Sequence, residues 1–437
     1  ASLLAGVYRL AGVGLFQSRF LSVALGLLVL ALTFALGKRL WSARHGLLAV
    51  FFLLLAVTTT QTPSQLSGIL LIDIARIARY DILVPVFGLA ALHAAWSAHR
   101  RRSALWWGAA GMLAGLAGLS HLYGLFFVLA VSLLALWLRA GRQGLLALTV
   151  GVALPWLPYL AYVLADVALW RAQTSLYGPR FELLNPDWYL ANLRAEPLRY
   201  APGATWVPWL AWLGVGLSLG ALGQRTLRGD DRARLIVLPA LLLPLLFALF
   251  ITIKLINYRV VIEPLWALAA AWGGVALWQW VSEQGWATLW RVALIALLVA
   301  VGVEGTSRLV AMQRLAPSIT PYSALVDTIR AEVAAGERVL GMHHYWLGME
   351  ETTYRAWIVP IAAASAQPEP ASAMAAVLDD LDPQVVLLER EIREYFDHPP
   401  PGDPLPGAVW QWLASRGYTP RTVLDDPTYG RIELWRR

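Results

Sequence analysis

The feature that most constrains this chain is a series of windows, each roughly 20 residues long, in which apolar side chains follow one another almost without interruption. One such window can cross the hydrocarbon core of a bilayer as a helix, because a helix satisfies its own backbone hydrogen bonds. Only 14% of the 437 residues are charged, against about 25% in an ordinary soluble domain. The chain therefore reads as a polytopic α-helical membrane protein. It has no cysteine, which excludes disulfide frameworks, thiolate zinc sites and a cysteine nucleophile. No Gly-rich P-loop is present, which argues against ATP-driven work by this chain alone.

About ten spans are expected, near 18–37, 45–60, 79–98, 104–120, 121–138, 144–164, 205–223, 235–253, 260–280 and 290–306. Their orientation follows from the Lys/Arg clusters. Lys38, Arg39 and Arg44 follow the first span, Arg100, Arg101 and Arg102 the third, and Arg139 and Arg142 the fifth. Arg225, Arg228, Arg232 and Arg234 follow the seventh, and Arg291 lies between the ninth and tenth. Alternation puts all five loops on one side, read as cytoplasmic, and both chain ends outside. The net charge of +7 is thus a signature of topology and does not point to nucleic acid. Ala1–Gln17 resembles neither a signal peptide nor a spanning helix. An outside N-terminus then implies a helix and loop upstream of Ala1, the alternative being a short natural N-out tail.

Two further features stand out along the chain. Gly108, Gly111, Gly115 and Gly118 share roughly one helical face, which allows close helix packing. The chain then turns sharply at Ser120-His121-Leu122-Tyr123-Gly124. Beyond Arg308 the composition changes, with residues 308–437 carrying −5 against +12 for residues 1–307. Helix signals at Tyr322–Ala335 and Ala408–Arg416 alternate with strand signals at Arg338–Met342, Gln384–Glu389, Thr422–Asp425 and Gly430–Leu434. This pattern predicts a small α/β domain, with an Ala/Pro-rich segment at Ala362–Ala376.

Ionisable residues at the ends of spans are costly and so informative. Three outer groups qualify. In Asp73-Ile74-Ala75-Arg76-Ile77-Ala78-Arg79-Tyr80-Asp81, a continuous helix would place Arg76 and Arg79 on one face, able to grip one anion together. Asp81 could pair with a neighbouring arginine, bind a metal or orient a hydroxyl. In Lys254-Leu-Ile-Asn257-Tyr258-Arg259, followed by Glu263, Lys254 is one of two lysines in the chain. It could be an interfacial anchor, with Tyr258 in the aromatic belt, or it could join Arg259 in holding a lipid-linked phosphate. Arg259 is the local partner for Glu263. The third group is the loop after Leu164, with Arg171, Tyr177, Arg180, Glu182, Asp187, Trp188, Tyr189 and Arg194, a mixture that suits either a sugar site or an interfacial helix. His343-His344 lack a surrounding ligand set.

The run from Gly14-Leu15-Phe16-Gln17-Ser18-Arg19-Phe20 through Gly37-Lys38-Arg39-Leu40 to Ala78-Arg79-Tyr80-Asp81-Ile82-Leu83 resembles the integral-membrane GT-C glycosyltransferases. The nearest group is the protein-mannosyltransferase-like set (glycosyltransferase family 39), with the aminoarabinose and lipopolysaccharide-core sugar transferases. Gly111–Gly124 and Lys254…Tyr258…Pro264 resemble later motifs of that family, and the resemblance covers roughly residues 5–305. It implies a GT-C module over 1–307, lacking its first helix and outer loop, and an extracytoplasmic α/β domain over 308–437. It also implies inverting transfer of a sugar from a polyprenyl-phosphate donor to a hydroxyl of a protein, lipid or glycan, at the outer face of a bacterial plasma membrane. In this reading Asp81 and Arg79 build the catalytic site, while the general base lies upstream of Ala1. Arg76, His121, Lys254, Tyr258 and Arg259 hold the donor phosphate. His121 stands where the family often has Lys. No cofactor is specified with certainty, and a divalent metal is left open. A lipid-sugar flippase and a non-catalytic membrane binding protein are the alternatives.

Overall fold

The computed structural model describes residues 2–59, 66–174, 181–200, 207–284 and 287–437. They form two compact units. One comprises Ser18–Arg171 and Arg180–Gln313, and the other Arg314–Arg437 with Ala1–Gln17 and Ala172–Pro179.

Helices are numbered along the chain. After α1 (Ser2–Ala11), the apolar windows fold as α2 (Leu15–Leu40), α3 (Ala43–Leu55), the short α4 (Leu70–Ala75), α5 (Leu83–Arg101), α6 (Ala104–Ser120), α7 (Leu125–Trp137), α8 (Arg142–Ala153) and α9 (Trp156–Ala165). The stretch after α9 contributes α10 (Val167–Thr174), α11 (Pro186–Ala195) and α12 (Pro197–Tyr200), and then come α13 (Val207–Leu227), α14 (Asp231–Phe250), α15 (Glu263–Ser282) and α16 (Ala287–Leu315). Each expected span contains helix, though several windows extend beyond their helices. Among the described residues, four stretches are long and apolar enough to cross a membrane: Leu15–Leu40, Tyr80–Arg101, Asp231–Phe250 and Ala287–Ala331. A fifth is added if α8 and α9, bent by 41°, count as one span. Several helices are shorter than their apolar windows. The window at 45–60 shows why: α3 ends at Leu55, Ala56 is extended, and the residues beyond it pack against the polar site.

Close packing follows the glycines. A Cβ on Gly111 would stand 2.2 Å from the Leu148 carbonyl oxygen, and one on Gly151 would stand 2.1 Å from that of Gly108. The small-residue face of α6 therefore lies backbone to backbone against α8. The polar turn after α6 is equally tight, since a Cβ on Gly124 would meet the Ala117 carbonyl oxygen.

The other unit carries α17 (Tyr322–Ala331), β1 (Arg338–Gly341), β2 (Thr353–Ala356), α18 (Ile358–Ser365), α19 (Pro370–Leu381), β3 (Val385–Glu389), α20 (Arg390–Asp397), α21 (Leu405–Ser415), β4 (Thr419–Asp426) and β5 (Gly430–Arg436). The sheet order is β2-β1-β3-β5-β4. The first three strands are parallel, and β5 pairs antiparallel with both β3 and β4. Every residue of β3 is buried, as its unbroken apolar run requires of a central strand. The Ala/Pro-rich segment is largely helical, covering the end of α18 and the first part of α19, because alanine is the strongest helix former and Pro370 sits at a helix start where it is tolerated. The edge strand β2 and the short helix α20 had no clear sequence signal.

Candidate active site

The expected site residues lie at one end of the helix bundle, opposite the Lys/Arg clusters. Asp73, fully buried, accepts from the backbone N–H of Ser67 (3.1 Å) and of Gly68 (3.0 Å). Gly68 has φ +71° and lies so close to the Thr59 carbonyl oxygen that a Cβ would stand 2.8 Å from it. Asp73 thereby fixes the chain where it leaves α3. Arg76 Nε lies 3.5 Å from Asp73 Oδ1. The helix stops at Ala75, Arg79 is extended, and one 3-10 turn (Tyr80–Ile82) leads into α5. Arg76 and Arg79 therefore do not share a helical face as the sequence suggested. Each is matched to an acid of its own segment, with Arg79 Nε 2.5 Å from Asp81 Oδ2.

Asp81 is 2% exposed, and its second oxygen, Oδ1, has no hydrogen-bond partner among the described residues. The nearest donor is His121 Nε2 at 3.6 Å, beyond hydrogen-bond reach. His121 Nδ1 accepts from the Tyr123 N–H at 3.2 Å, so in the neutral ring the proton is assigned to Nε2, facing Asp81. The imidazole is held by rings on both sides, Tyr80 at 5.4 Å and Tyr123 at 4.0 Å between centroids. Tyr123 stands edge-on to Tyr258 at 4.6 Å. Tyr258 is buried in this cluster and so is not an interfacial belt residue.

Beyond Tyr258 lies a second ionic group. Lys254 Nζ is 2.8 Å from Glu196 Oε2, and Arg199 Nε is 2.8 Å from Glu196 Oε1. Lys254 also donates to the Ala248 carbonyl (3.1 Å) and Arg199 Nη1 to that of Leu255 (3.0 Å). The Arg199 guanidinium lies 5.2 Å from the Phe247 ring centre and 5.9 Å from that of Tyr258. Arg259, with no exposed surface, forms the third group. Its Nη2 meets Glu263 Oε1 at 2.7 Å, Thr58 Oγ1 donates to the same oxygen at 3.0 Å, and the Trp212 ring covers the guanidinium at 4.6 Å. The Arg259–Glu263 pairing was legible from its one-turn spacing.

An apolar groove of about 1710 Å³ runs along α3, α13, α15 and α16, from Arg44 at one end to Thr58 and Glu263 at the other. Of the loop residues, Trp188 is buried and the Tyr189 hydroxyl donates to the Leu183 carbonyl, while Tyr177 and Arg180 lie outside the described residues. Glu196 and Arg199 went unrecognised in the sequence, although an acid and a base three apart in the stretch before α13 are a pairing signal. Among the described residues no three His, Cys, Asp or Glu side chains are placed to hold a metal ion. Asp73 is already engaged by backbone N–H groups, and Asp81 and His121 alone do not make a ligand set, so no metal-dependent step is drawn.

The whole chain has a structural counterpart. ArnT from Cupriavidus metallidurans, solved bound to undecaprenyl phosphate, matches 99% of this chain and 86% of its own at a TM-score of 0.53 and 14% identity. The chain has the GT-C fold. An oligosaccharyltransferase from Archaeoglobus fulgidus, solved with Zn and sulfate, matches 95% of this chain and 61% of its own at a TM-score of 0.48 and 15% identity. No protein-family model and no curated protein matches the sequence. In this fold the starts of α5 and α15 and the finishes of α3, α6 and α14 bring Asp81, Glu263, Thr58, His121 and Lys254 to one end of the bundle.

Proposed function

We propose that this chain transfers a sugar, with inversion, from a polyprenyl-phosphate donor to an acceptor hydroxyl at the outer face of a bacterial plasma membrane. The observation that carries the reading is the conjunction of the GT-C fold with a polar site at one bundle end, where the buried Asp81 keeps one oxygen uncommitted. In this reaction the hydroxyl oxygen bonds to the anomeric carbon as the bond from that carbon to the phosphate oxygen breaks. The phosphate leaves with the electron pair, and the hydroxyl proton passes to a carboxylate base. Developing charge on the phosphate calls for cations already in place.

Arg79 holds Asp81, and Asp81 Oδ1, which has no hydrogen-bond partner among the described residues, accepts from a hydroxyl of sugar or acceptor on the side facing His121. Lys254, Arg199 and Tyr258 take the phosphate, with Arg76 and His121 at its border. Arg259 supports them from below, because its charge is matched by Glu263. The groove beside Thr58 and Glu263 suits a polyprenyl tail, and ArnT, of the same fold, was solved with undecaprenyl phosphate. In this reading the α/β domain lies outside the cell, the side that alternation from the Lys/Arg clusters gives it.

The test is transfer of labelled sugar from a polyprenyl-phosphate donor by the natural full-length protein in proteoliposomes. Asp81→Asn and Arg79→Ala are each expected to lower the rate by about 100-fold or more while membrane expression persists. Wild-type rates in both would remove the assignment. Movement of intact lipid-linked sugar across the vesicle, with no glycosidic product, would favour a flippase instead.

A further inference from the structure

At the Asp81 end of the bundle, the ionic groups differ in one respect. Arg76 faces Asp73, Arg79 faces Asp81, and Arg259 faces Glu263, so each of these groups closes at zero net charge. The Lys254–Glu196–Arg199 group does not, because two cations share one carboxylate. It carries one excess positive charge in surroundings where the Arg199 and Lys254 side chains are 0% and 5% exposed. A buried excess charge is costly unless an anion completes it. Donors remain for that anion. Lys254 has three N–H groups and makes two contacts, and Arg199 has five and makes three.

We propose that Glu196 sets the charge of this cluster so that it matches the phosphodiester of the donor and not the phosphomonoester left after transfer. The inference rests on the donor reading above. A lipid-linked sugar phosphate is a diester with one negative charge, and one excess positive charge completes it. The polyprenyl monophosphate that remains carries about −1.5 to −2 near neutral pH, so it brings more negative charge than the cluster can match. Glu196 thus acts on release of the spent lipid through the two cations it positions, without touching the reacting atoms. With Glu196 neutral the cluster would carry two excess charges and would hold the monoester tightly.

The experiment compares the natural full-length protein with its Glu196→Gln variant, which keeps the carboxylate's shape and one acceptor oxygen. Binding of polyprenyl monophosphate and of a polyprenyl methyl phosphodiester is titrated in nanodiscs, alongside steady-state transfer. In the variant the monoester is expected to bind about tenfold tighter or more, a modest figure for one unit charge a few ångströms away. The diester should gain less, and kcat should fall under product inhibition. A purely structural role would instead weaken both ligands together. Unchanged or weakened monoester binding in the variant overturns the proposal. If the variant does not fold, the wild type still decides it: a monoester bound no more than about threefold tighter than the diester supports charge matching, and a preference above about thirtyfold defeats it. A wild type that binds neither lipid and transfers nothing fails the donor reading itself, an outcome distinct from either.

Discussion

At the scale of single residues, the site is a set of buried charges whose matching is nearly complete. Arg259 shows what that means for stability. Its Nη atoms reach Glu263 and the Thr58 carbonyl, and rings of Trp212 and Tyr200 cover it. Arg259→Ala would strand Glu263 in an apolar setting, and loss of one partner of a buried pair costs about 3–5 kcal/mol. Thermal unfolding in detergent should show a marked drop in midpoint, whereas a paired Arg259→Met, Glu263→Leu change should recover most of it. If the single variant unfolds like wild type, the pair contributes nothing to stability. Asp81 is the opposite case: its Oδ1 is buried without a hydrogen bond, so Asp81→Asn should affect chemistry far more than folding.

At the scale of elements, close approach is decided by a few glycines. Gly111→Ala forces a methyl group against the Leu148 carbonyl, which stands 2.2 Å from the required Cβ position. Overpacking of this kind costs about 1–3 kcal/mol, and the separation of α6 from α8 would also disturb the His121 turn. Gly220, in α13, has nothing within 4 Å of its Cβ position, so Gly220→Ala should be neutral or stabilise by up to about 1 kcal/mol. Unfolding curves for the two variants should move in opposite directions; equal shifts would mean that the α6–α8 contact is not tight. The glycine spacing announced the packing face, but the partner, α8, required the three-dimensional arrangement. Helix ends were less legible. A continuous helix from Asp73 to Asp81 would put Arg76 and Arg79 on one face, yet Asp73 captures the backbone of Ser67 and Gly68 and the chain turns after Ala75.

At the scale of the whole molecule, the two units should respond differently to acid. In the α/β unit, His344 follows β1, and burial, with a smaller contribution from the charge of His343, lowers its pKa to about 4. The unfolded chain takes up that proton near pH 6.5 while the folded unit still refuses it. The stability tied to His344 is therefore present in full above about pH 6.5 and drains away as the pH falls toward 4. Hydrogen exchange of the β1 and β3 amides should quicken across that window, and His344→Gln should flatten the dependence. A pH-independent rate in the wild type would contradict it.

The sequence alone determined the class, the helical character of the apolar windows, the end of the bundle that carries the Lys/Arg clusters and the alternation of the C-terminal unit. These are local quantities: runs of apolar side chains, clusters of cations, and the different periods of helix and strand. Only the tertiary structure decided the long-range contacts. Lys254 joins Arg199 on Glu196, Arg259 reaches back to Thr58, and His121 turns toward Asp81, each between segments far apart in the chain. A charge removed from water is matched by whichever opposite charge or polar group packing brings within a few ångströms, and spacing along the chain does not encode that distance.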